Sequence, residues 1–223
     1  MDTGILYIVA TPIGNLQDIT LRALEILKQV DLIACEDTRV TKKLLMRYEI
    51  GKPMISFHQH SQLSKFDKII AELKSGKSIV LVTDAGTPGV SDPGNMLVAE
   101  AIKNEIKTIP IPGASALSAI ISVAGIDMQK FTFLGFPPHK KGRETFFKEV
   151  AGAEYPIIYY ESMHRVVKNL ELLKNLAPDK KIILGREITK MFEEIVRGSV
   201  SEVLLYFQEN SDKIKGEFTI IAY

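Results

Sequence analysis

Acidic and basic side chains stand side by side directly after three apolar runs of this sequence, in the segments 36–39, 160–165 and 186–190. A carboxylate, or a lysine whose pKa is depressed, can take a proton from a hydroxyl group and so act as a general base. The candidate bases are Asp37, Glu36, Glu161, Glu187 and Lys190. The residue types alone do not choose among these five.

An arginine accompanies the acids in each of these segments. Helix capping explains part of the pattern, because Asp37 is a good N-cap and acids suit the first turn of a helix. It does not explain a cation at a helix start, where the helix dipole is unfavourable. We therefore expect Arg39, Arg165 and Arg186 to hold phosphates, a task that the guanidinium group suits.

A basic loop, 137–143, joins an apolar run to the next helical pattern. Most such runs are merely solvated loops. This one is expected at the rim of a cleft, where Lys140, Lys141 and Arg143 would contact phosphates.

A different chemistry is indicated by the loop 84–94, which holds three glycines, two prolines and two aspartates. A purely structural connection is usually about 2–6 residues long. Glycines let a ligand approach the backbone, and prolines fix the shape of a loop in advance. Following an apolar strand pattern, such a loop predicts a ligand site at the carboxyl end of a parallel strand.

Turns of similar composition follow other apolar runs, at 11–15, 112–116, 135–138 and 215–216. If the first sheet is parallel, the turns at 11–15, 84–94 and 112–116 share one edge of it. That edge would offer mainly backbone amides and carbonyls. It suits a zwitterionic small molecule with an adenine-like base.

Several function classes lack their signatures in this sequence. It holds no G-x-G-x-x-G fingerprint, no Walker A loop and no G-x-S-x-G elbow. The single cysteine excludes an intramolecular disulfide and a cysteine-rich zinc site, and the four histidines lack metal-ligand spacing. We expect no metal site.

The chain has 223 residues, of which 46% are hydrophobic and 25% charged, and its net charge is +1. A nucleic acid would therefore have to bind at a local basic patch. No run approaches the roughly 20 apolar residues of a membrane span. The first residues also lack the pattern of a signal peptide, so the cytoplasm is the expected compartment.

The elements that must position these residues alternate between strands and helices. Continuous apolar strands are predicted at 5–10, 31–35, 54–58, 78–82 and 107–111. Their alternation with helical patterns predicts a largely parallel sheet with helices on both faces. Further strands are predicted at 131–136, 156–160, 181–184, 195–197 and 218–222. We expect two α/β domains, 1–113 and 114–223.

Several of these segments, in this order, resemble the ribosomal RNA small subunit methyltransferase I family, a tetrapyrrole methylase-like family of S-adenosylmethionine-dependent enzymes. They are Thr-Pro-Ile-Gly-Asn at 11–15, Glu-Asp-Thr-Arg at 36–39, Asp-Ala-Gly-Thr-Pro at 84–88, Ser-Asp-Pro-Gly at 91–94, Pro-Gly-Ala-Ser-Ala at 112–116, Tyr-Glu-Ser-Met-His-Arg at 160–165, Gly-Arg-Glu-Ile-Thr-Lys at 185–190 and Lys-Gly-Glu at 215–217.

The resemblance implies a homodimer of two-domain α/β chains, with a mixed sheet in the C-terminal domain and S-adenosylmethionine in the cleft between the domains. It implies 2′-O-methylation of a cytidine in the decoding region of 16S, small-subunit, ribosomal RNA. Free RNA and the assembled 30S subunit are both open as substrates. The implied donor-binding residues are Pro12, Ile13, Gly14, Thr87, Val90, Ser115, Ala116, Tyr160, Gly185 and Gly216. Asp84 and Asp92 are then expected to organise their loop.

The sequence departs from the family pattern at Gly89, where a larger apolar residue is expected, and it ends at Tyr223 without the helical extension of many members. Two alternatives stay open. A relative in the same class would methylate a tetrapyrrole, a modified protein histidine or another small molecule. A chain of another class would be a non-catalytic RNA-binding factor in ribosome assembly.

Overall fold

The computed structural model describes residues 3–57 and 63–223. The chain divides into two compact units, Met1–Ser115 and Ala116–Tyr223, and each is described by itself. Within the described residues, no helix is long and apolar enough to cross a membrane.

The first unit is built on a five-stranded sheet in the order β3-β2-β4-β1-β5, and every pairing in it is parallel. Its strands are β1 (Ile5–Val9), β2 (Leu32–Cys35), β3 (Met54–Ser56), β4 (Ile79–Val82) and β5 (Lys107–Ile111). Its helices are α1 (Leu21–Gln29), α2 (Thr38–Arg47), α3 (Leu63–Lys74) and α4 (Gly94–Lys103).

Both faces of this sheet are buried, which explains why its strands are apolar throughout. In β4, Ile79 and Leu81 pack into one core cluster with the buried side chains of α3 and α4. The alternate residues Val80 and Val82 pack into another with α1 and α2. The predicted parallel sheet with helices on both faces is confirmed.

The second unit is built on a mixed sheet in the order β6-β7-β10-β8-β9, in which only β6 and β7 pair in parallel. Its strands are β6 (Thr132–Phe133), β7 (Ile157–Ser162), β8 (Lys181–Arg186), β9 (Glu194–Ser199) and β10 (Glu217–Ala222). Its helices are α5 (Ala116–Ser122), α6 (Arg143–Gly152), α7 (Val166–Leu176) and α8 (Val200–Glu209). The expected mixed sheet is confirmed.

Helix starts follow the expected capping chemistry. The Thr20 hydroxyl accepts a hydrogen bond from the Ala23 amide at the start of α1. The Ser199 hydroxyl accepts a hydrogen bond from the Glu202 amide at the start of α8, in a capping box with the Glu202 side chain. The first amides of a helix have no partner within the helix, and here a capping side chain accepts a hydrogen bond from one of them. These two helices therefore begin directly after their capping residues.

The structure corrects three expectations. The strand expected at 131–136 is reduced to Thr132–Phe133, because Gly135 adopts a positive φ of 66° and turns the chain away. Arg186 is the last residue of β8 and leads into the connection to β9, so it does not start a helix. The strand expected at 54–58 ends at Ser56, and His58 lies outside the described residues.

Candidate functional site

Three loops meet at one edge of the first sheet, as expected. They follow β4, β1 and β5, which are neighbouring parallel strands and so end at the same edge. The Thr11 amide donates to the Gly86 carbonyl at 2.9 Å, and the Gly86 amide donates back to Thr11 at 3.0 Å. The Thr87 hydroxyl donates to the Ala114 carbonyl at 3.2 Å. These bonds hold the three loops together as one surface.

Glycine is required where these loops approach each other most closely. Gly86 is buried and has a φ of 85°, a conformation that favours glycine. A Cβ atom on Gly113 would lie 3.0 Å from the Cβ of Ala10. The shared edge is therefore formed largely by main chain, which can bind a ligand through its amides and carbonyls.

The two aspartates of the loop 84–94 accept hydrogen bonds from backbone amides. Asp92 accepts from Gly89 at 2.8 Å and from Gly94 at 2.7 Å, and so closes the loop on itself. Asp84 Oδ1 accepts from the Asp37 amide at 2.9 Å. Gly89 lies at a φ of 89° with open space beside it, which gives a backbone reason for glycine at this position.

The expected donor residues are divided between the two units. Five of them lie on the loops after β1 and β4 in the first unit, and Ser115, the last residue of that unit, lies on the loop after β5. The other four lie at the start of α5, in β7, in β8 and in the turn before β10. The first set is Pro12, Ile13, Gly14, Thr87 and Val90, and the second is Ala116, Tyr160, Gly185 and Gly216.

Two glycines of the second unit also have packing reasons. A Cβ on Gly185 would lie 2.7 Å from Ile188 Cδ1 and 2.8 Å from Ile120 Cδ1. A Cβ on Gly216 would lie 2.3 Å from the carboxyl carbon of Glu187, and Gly216 has a φ of 87°. Substitution at either position would disturb the packing of the second unit.

A group of carboxylates lies where β2 and β4 end side by side. Cys35 is the register partner of Val82, so the residues that follow them emerge together. Glu36 Oε2 accepts from the Thr83 hydroxyl at 3.0 Å, in parallel with the bond between Asp37 and Asp84. Our sequence reasoning did not place Thr83 and Asp84 beside these acids. The signal that could have predicted this contact is that Glu36-Asp37 and Thr83-Asp84 each directly follow an apolar run, although the two pairs are 47 positions apart.

These carboxylates differ in their electrostatic environment. Hydrogen bonds from the Arg39 side chain and amide lower the pKa of Asp37 from 3.8 to about 2. Burial raises the pKa of Asp84, and the nearby charges of Glu36 and Asp37 raise it further. Asp37 is thus held as an anion by its neighbour, whereas Asp84 binds a proton more readily than an ordinary aspartate.

Arg39 is the most accessible of the three expected phosphate-binding arginines. Its side chain is 87% exposed and lies in the first turn of α2. Its Nη2 atom lies 2.6 Å from Asp37 Oδ2. This ion pair explains how a cation is tolerated at a helix start, and it leaves most of the guanidinium surface open to a ligand.

Glu161 and Arg165 belong to a buried network. The Glu161 side chain is fully buried, and its carboxylate accepts from the Ser162 amide at 2.7 Å and from the Asn169 side chain. Arg165 Nε lies 3.3 Å from Glu161 Oε1, and Arg165 Nη1 donates to the Pro137 carbonyl at 2.9 Å. Our sequence reasoning missed Asn169, which lies within α7 and has no chemical pattern around it.

The segment 186–190 is also engaged internally. Arg186 is 8% exposed and donates to the carbonyls of Lys215 and Phe192, each at 3.1 Å. Lys190 Nζ lies 2.8 Å from Glu187 Oε1 and 2.9 Å from Glu217 Oε2. Glu187 also accepts from the Glu217 amide at 2.9 Å. These side chains stabilise the connection between β8 and β9.

The pKa of Lys190 is raised, so the depressed pKa that Lys190 would need to act as a base is not present. Burial lowers this pKa, but the hydrogen bonds to Glu187 and Glu217 outweigh burial. The pKa of Glu187 is lowered in turn, because the bonds from Lys190 and from the Glu217 amide outweigh the effect of burial. The ion pair therefore keeps Lys190 protonated and makes Glu187 a weaker base, which disfavours both as the general base.

The basic loop presents its lysines to solvent. Lys140 and Lys141 are exposed, and Arg143 is half-buried as the first residue of α6. Gly142 precedes that helix with a φ of 90°. Arg165 donates a hydrogen bond to the Pro137 carbonyl, which anchors the start of this loop. The exposed lysines further along the loop can bind an anion.

Comparison with known proteins relates this chain to one family. Residues 5–204 match the model of the Tetrapyrrole (Corrin/Porphyrin) Methylases. A protein of Leptospira biflexa named Ribosomal RNA small subunit methyltransferase I is 43% identical, over 99% of this chain and 91% of that protein. One of the same name from Borrelia garinii subsp. bavariensis is 45% identical, over 97% of each. The crystal structure of diphthine synthase matches with a TM-score of 0.76 at 16% identity, over 98% of this chain and 90% of that one, which shows a shared fold.

Proposed function

This chain belongs to the ribosomal RNA small subunit methyltransferase I family, within the tetrapyrrole methylases, and from that membership we propose that it transfers a methyl group from S-adenosylmethionine to the 2′-oxygen of a cytidine in the decoding region of 16S ribosomal RNA. The observation that carries the proposal is the near full-length similarity to proteins of that name. We further propose that it acts in the cytoplasm as a homodimer, with domains 1–113 and 114–223.

The loops of the first unit fit such a donor. Their shared edge is mostly main chain, and Gly86 and Gly113 leave it without side-chain bulk where the strands end. Thr87 and Val90 are half-buried beside it, and Pro12 is buried at the end of β1. Backbone amides and carbonyls at this edge would hold a zwitterionic ligand by shape and hydrogen bonds.

When bound, S-adenosylmethionine supplies a methyl group on a sulfonium centre, which a ribose oxygen accepts by in-line displacement. The contribution of this chain is to hold that oxygen in line, which by itself supplies much of the acceleration. A ribose hydroxyl is a weak nucleophile, so a base that removes its proton accelerates the reaction further.

Among the five candidate bases, the proposal selects Glu36. It lies at the same sheet edge as the donor loops, and its Oε1 atom makes no hydrogen bond to the described residues. Asp37 is stabilised as an anion by Arg39, and Glu161 is buried in its own network. Glu187 and Lys190 neutralise each other. Of the five candidates, Glu36 is the one that lies beside the donor loops of the first unit and keeps an oxygen without a hydrogen bond to the described residues.

The proposed RNA contacts are those cations that are exposed. Arg39 presents its guanidinium group from the start of α2, Lys140 and Lys141 present their ammonium groups from the basic loop, and Arg143 follows them half-buried. Arg165 acts indirectly, by fixing the base of that loop. We assign Arg186 a structural role, because it is buried and its Nε and Nη1 atoms donate to backbone carbonyls.

The test is to map methylated riboses by mass spectrometry in 16S ribosomal RNA from cells with and without this protein. The proposal expects one 2′-O-methylcytidine of the decoding region to disappear in the deletion and to return with a plasmid copy. Purified protein incubated with S-adenosylmethionine and either naked RNA or 30S subunits then identifies the substrate form. An unchanged methylation map would overturn the substrate assignment.

A further inference from the structure

A small cavity opens beside the donor loops, between the start of α2 and the end of β1. Its volume is about 150 Å³, well below the roughly 300–1,000 Å³ of pockets that take drug-sized ligands. Its walls are apolar and come from Pro12, Leu16, Val40 and Leu44. A space of this size and lining suits a single flat ring.

The lining of the cavity also includes polar side chains, two of which have hydrogen-bonding capacity that the described residues do not use. Asp84 lines it and uses only Oδ1 for the bond from the Asp37 amide, so its Oδ2 makes no hydrogen bond to the described residues. Thr41 also lines it, is 3% exposed, and its hydroxyl has no oxygen or nitrogen partner among the described residues. The cavity thus offers a carboxylate oxygen and a hydroxyl with unused hydrogen-bonding capacity.

We propose that this cavity holds the base of the target nucleotide, and that Asp84 accepts a hydrogen bond from the 4-amino group of cytosine. This inference rests on the proposed function, which it deepens by naming the residue that selects the base. A carboxylate accepts from the exocyclic amine of cytosine and repels the 4-oxygen of uracil, so one side chain separates the two pyrimidines.

A nucleobase is the kind of group that enzymes acting on nucleotides hold in such a cavity. Groups that must be modified in a structured RNA are reached by taking the nucleotide out of its stack and holding its base between apolar side chains. Pro12, Leu16, Val40 and Leu44 provide such walls, and Lys43 lines the cavity with its charged head exposed, where it can meet a phosphate. A single-ring base is favoured over a purine by the small volume.

The cavity is also placed correctly for the chemistry. Thr83 lines it and donates to Glu36, the proposed base, so the cavity and the proton acceptor are one hydrogen bond apart. Thr11 and Pro12 line it as well and belong to the donor loops. A base held here would leave its ribose at the opening, beside both Glu36 and the donor edge.

The first experiment varies the RNA and keeps the protein unchanged. Decoding-region substrates carry cytidine, uridine or pyrimidin-2-one ribonucleoside at the target position, the last lacking the 4-amino group. We expect kcat/KM to fall about tenfold to a hundredfold for each replacement. Equal rates on all three would overturn the inference and leave the proposed function standing. Failure to methylate cytidine at the target position both in naked RNA and in 30S subunits would overturn the proposed function itself.

The second experiment varies the protein with an isosteric change. In Asp84→Asn, the amide oxygen can keep the bond from Asp37 while its nitrogen replaces Oδ2 in the cavity and donates to the 4-oxygen of uracil. We expect the preference to shift from cytidine to uridine, with kcat/KM on cytidine about tenfold to a hundredfold lower. A variant that binds S-adenosylmethionine normally in calorimetry and keeps the wild-type preference would contradict the assignment.

The third experiment fills the cavity and separates it from the donor site. Val40→Phe should lower methylation of the cytidine substrate at least tenfold and leave the affinity for S-adenosylmethionine unchanged. Met46→Phe is the matched control, because Met46 is an exposed apolar residue of the same helix outside the lining. If Val40→Phe weakened donor binding tenfold, the cavity would belong to the donor and the inference would be overturned.

Discussion

At the residue scale, the chemistry of the first unit depends on how each carboxylate uses its two oxygens. Asp37 and Arg39 are paired in the first turn of α2, and Asp84 spends one oxygen on the Asp37 amide. Among the described residues, Glu36 is hydrogen-bonded through Oε2 alone, to the Thr83 hydroxyl. The side chains of Glu36, Asp37, Thr83 and Asp84 therefore have different roles, and their hydrogen bonds decide which role each one has.

If Glu36 is the base, Glu36→Gln removes the proton acceptor and keeps the shape of the side chain. We expect kcat for methyl transfer to fall by about 10²–10⁴-fold, the usual contribution of general base catalysis. Single-turnover assays on decoding-region RNA measure the chemical step, and calorimetry with S-adenosylmethionine is the folding control. A kcat within twofold of wild type would exclude Glu36.

The lowered pKa of Asp37 predicts a pH dependence of stability. Its pKa is about 2 in the folded chain against an ordinary 3.8, so it contributes stability above pH 3.8 that is lost as the pH falls toward 2. Asp37→Asn keeps a capping oxygen and removes the charge. The difference in free energy of unfolding between wild type and Asp37→Asn, measured in urea, should therefore shrink between about pH 4 and pH 2. A difference that stays constant or grows toward acid would contradict the lowered pKa.

At the element scale, the junction of β7 and α7 is organised around one buried anion. Glu161 accepts hydrogen bonds from the Ser162 amide and the Asn169 side chain and pairs with Arg165. A buried carboxylate is tolerated only when its oxygens are satisfied, so the strand and the helix are held in one relative position. Arg165 extends the network to Pro137 and so anchors the basic loop.

Asn169→Ala tests this junction, because it leaves one oxygen of the buried Glu161 unpaired. We expect a loss of about 1–3 kcal/mol in the free energy of unfolding. Asn175→Ala is the matched control, since Asn175 is an exposed residue of the same helix and should change stability by less than about 0.5 kcal/mol. Equal effects of the two variants in urea denaturation would show that the network adds nothing.

At the scale of the whole molecule, the charges nearly cancel, with 28 basic and 27 acidic side chains. Overall attraction cannot hold a polyanion, so binding to RNA has to come from a few exposed cations near the site. In the segments predicted to bind RNA, the exposed cations are Arg39 of the first unit and Lys140 and Lys141 of the second. Few phosphate contacts imply a shallow dependence of RNA affinity on salt.

Arg39→Ala should weaken RNA binding and lower the slope of log K against log salt concentration by about one, the effect of one lost phosphate contact. Donor affinity should not change. Titrations of labelled RNA at several salt concentrations measure both quantities. Arg186→Lys provides the contrast: because Arg186 binds backbone carbonyls, we expect it to affect stability and leave the salt slope unchanged. Identical RNA affinity of wild type and Arg39→Ala at fixed salt would rule out the contact.

Much of the fold was predictable from local pattern. The alternation of strand and helix patterns predicted the parallel first sheet. The glycines and prolines of 84–94 predicted a loop of defined shape, because these residue types act directly on the backbone conformation. Shifted boundaries, as at Thr132–Phe133, arise where one glycine with positive φ ends a strand that the apolar run would continue.

The sequence by itself determined which segments carry chemistry: the small-residue loops, and the acids and arginines that follow apolar strands. Only the tertiary structure decided which of them meet. The order β3-β2-β4-β1-β5 places Glu36 and Asp37 beside Thr83 and Asp84, and the second sheet buries Arg186 while the first leaves Arg39 in solvent. The physical reason is that backbone preferences and capping act over a few residues. Strand pairing and burial depend on side chains far apart in the chain, and they set each group's partners and pKa.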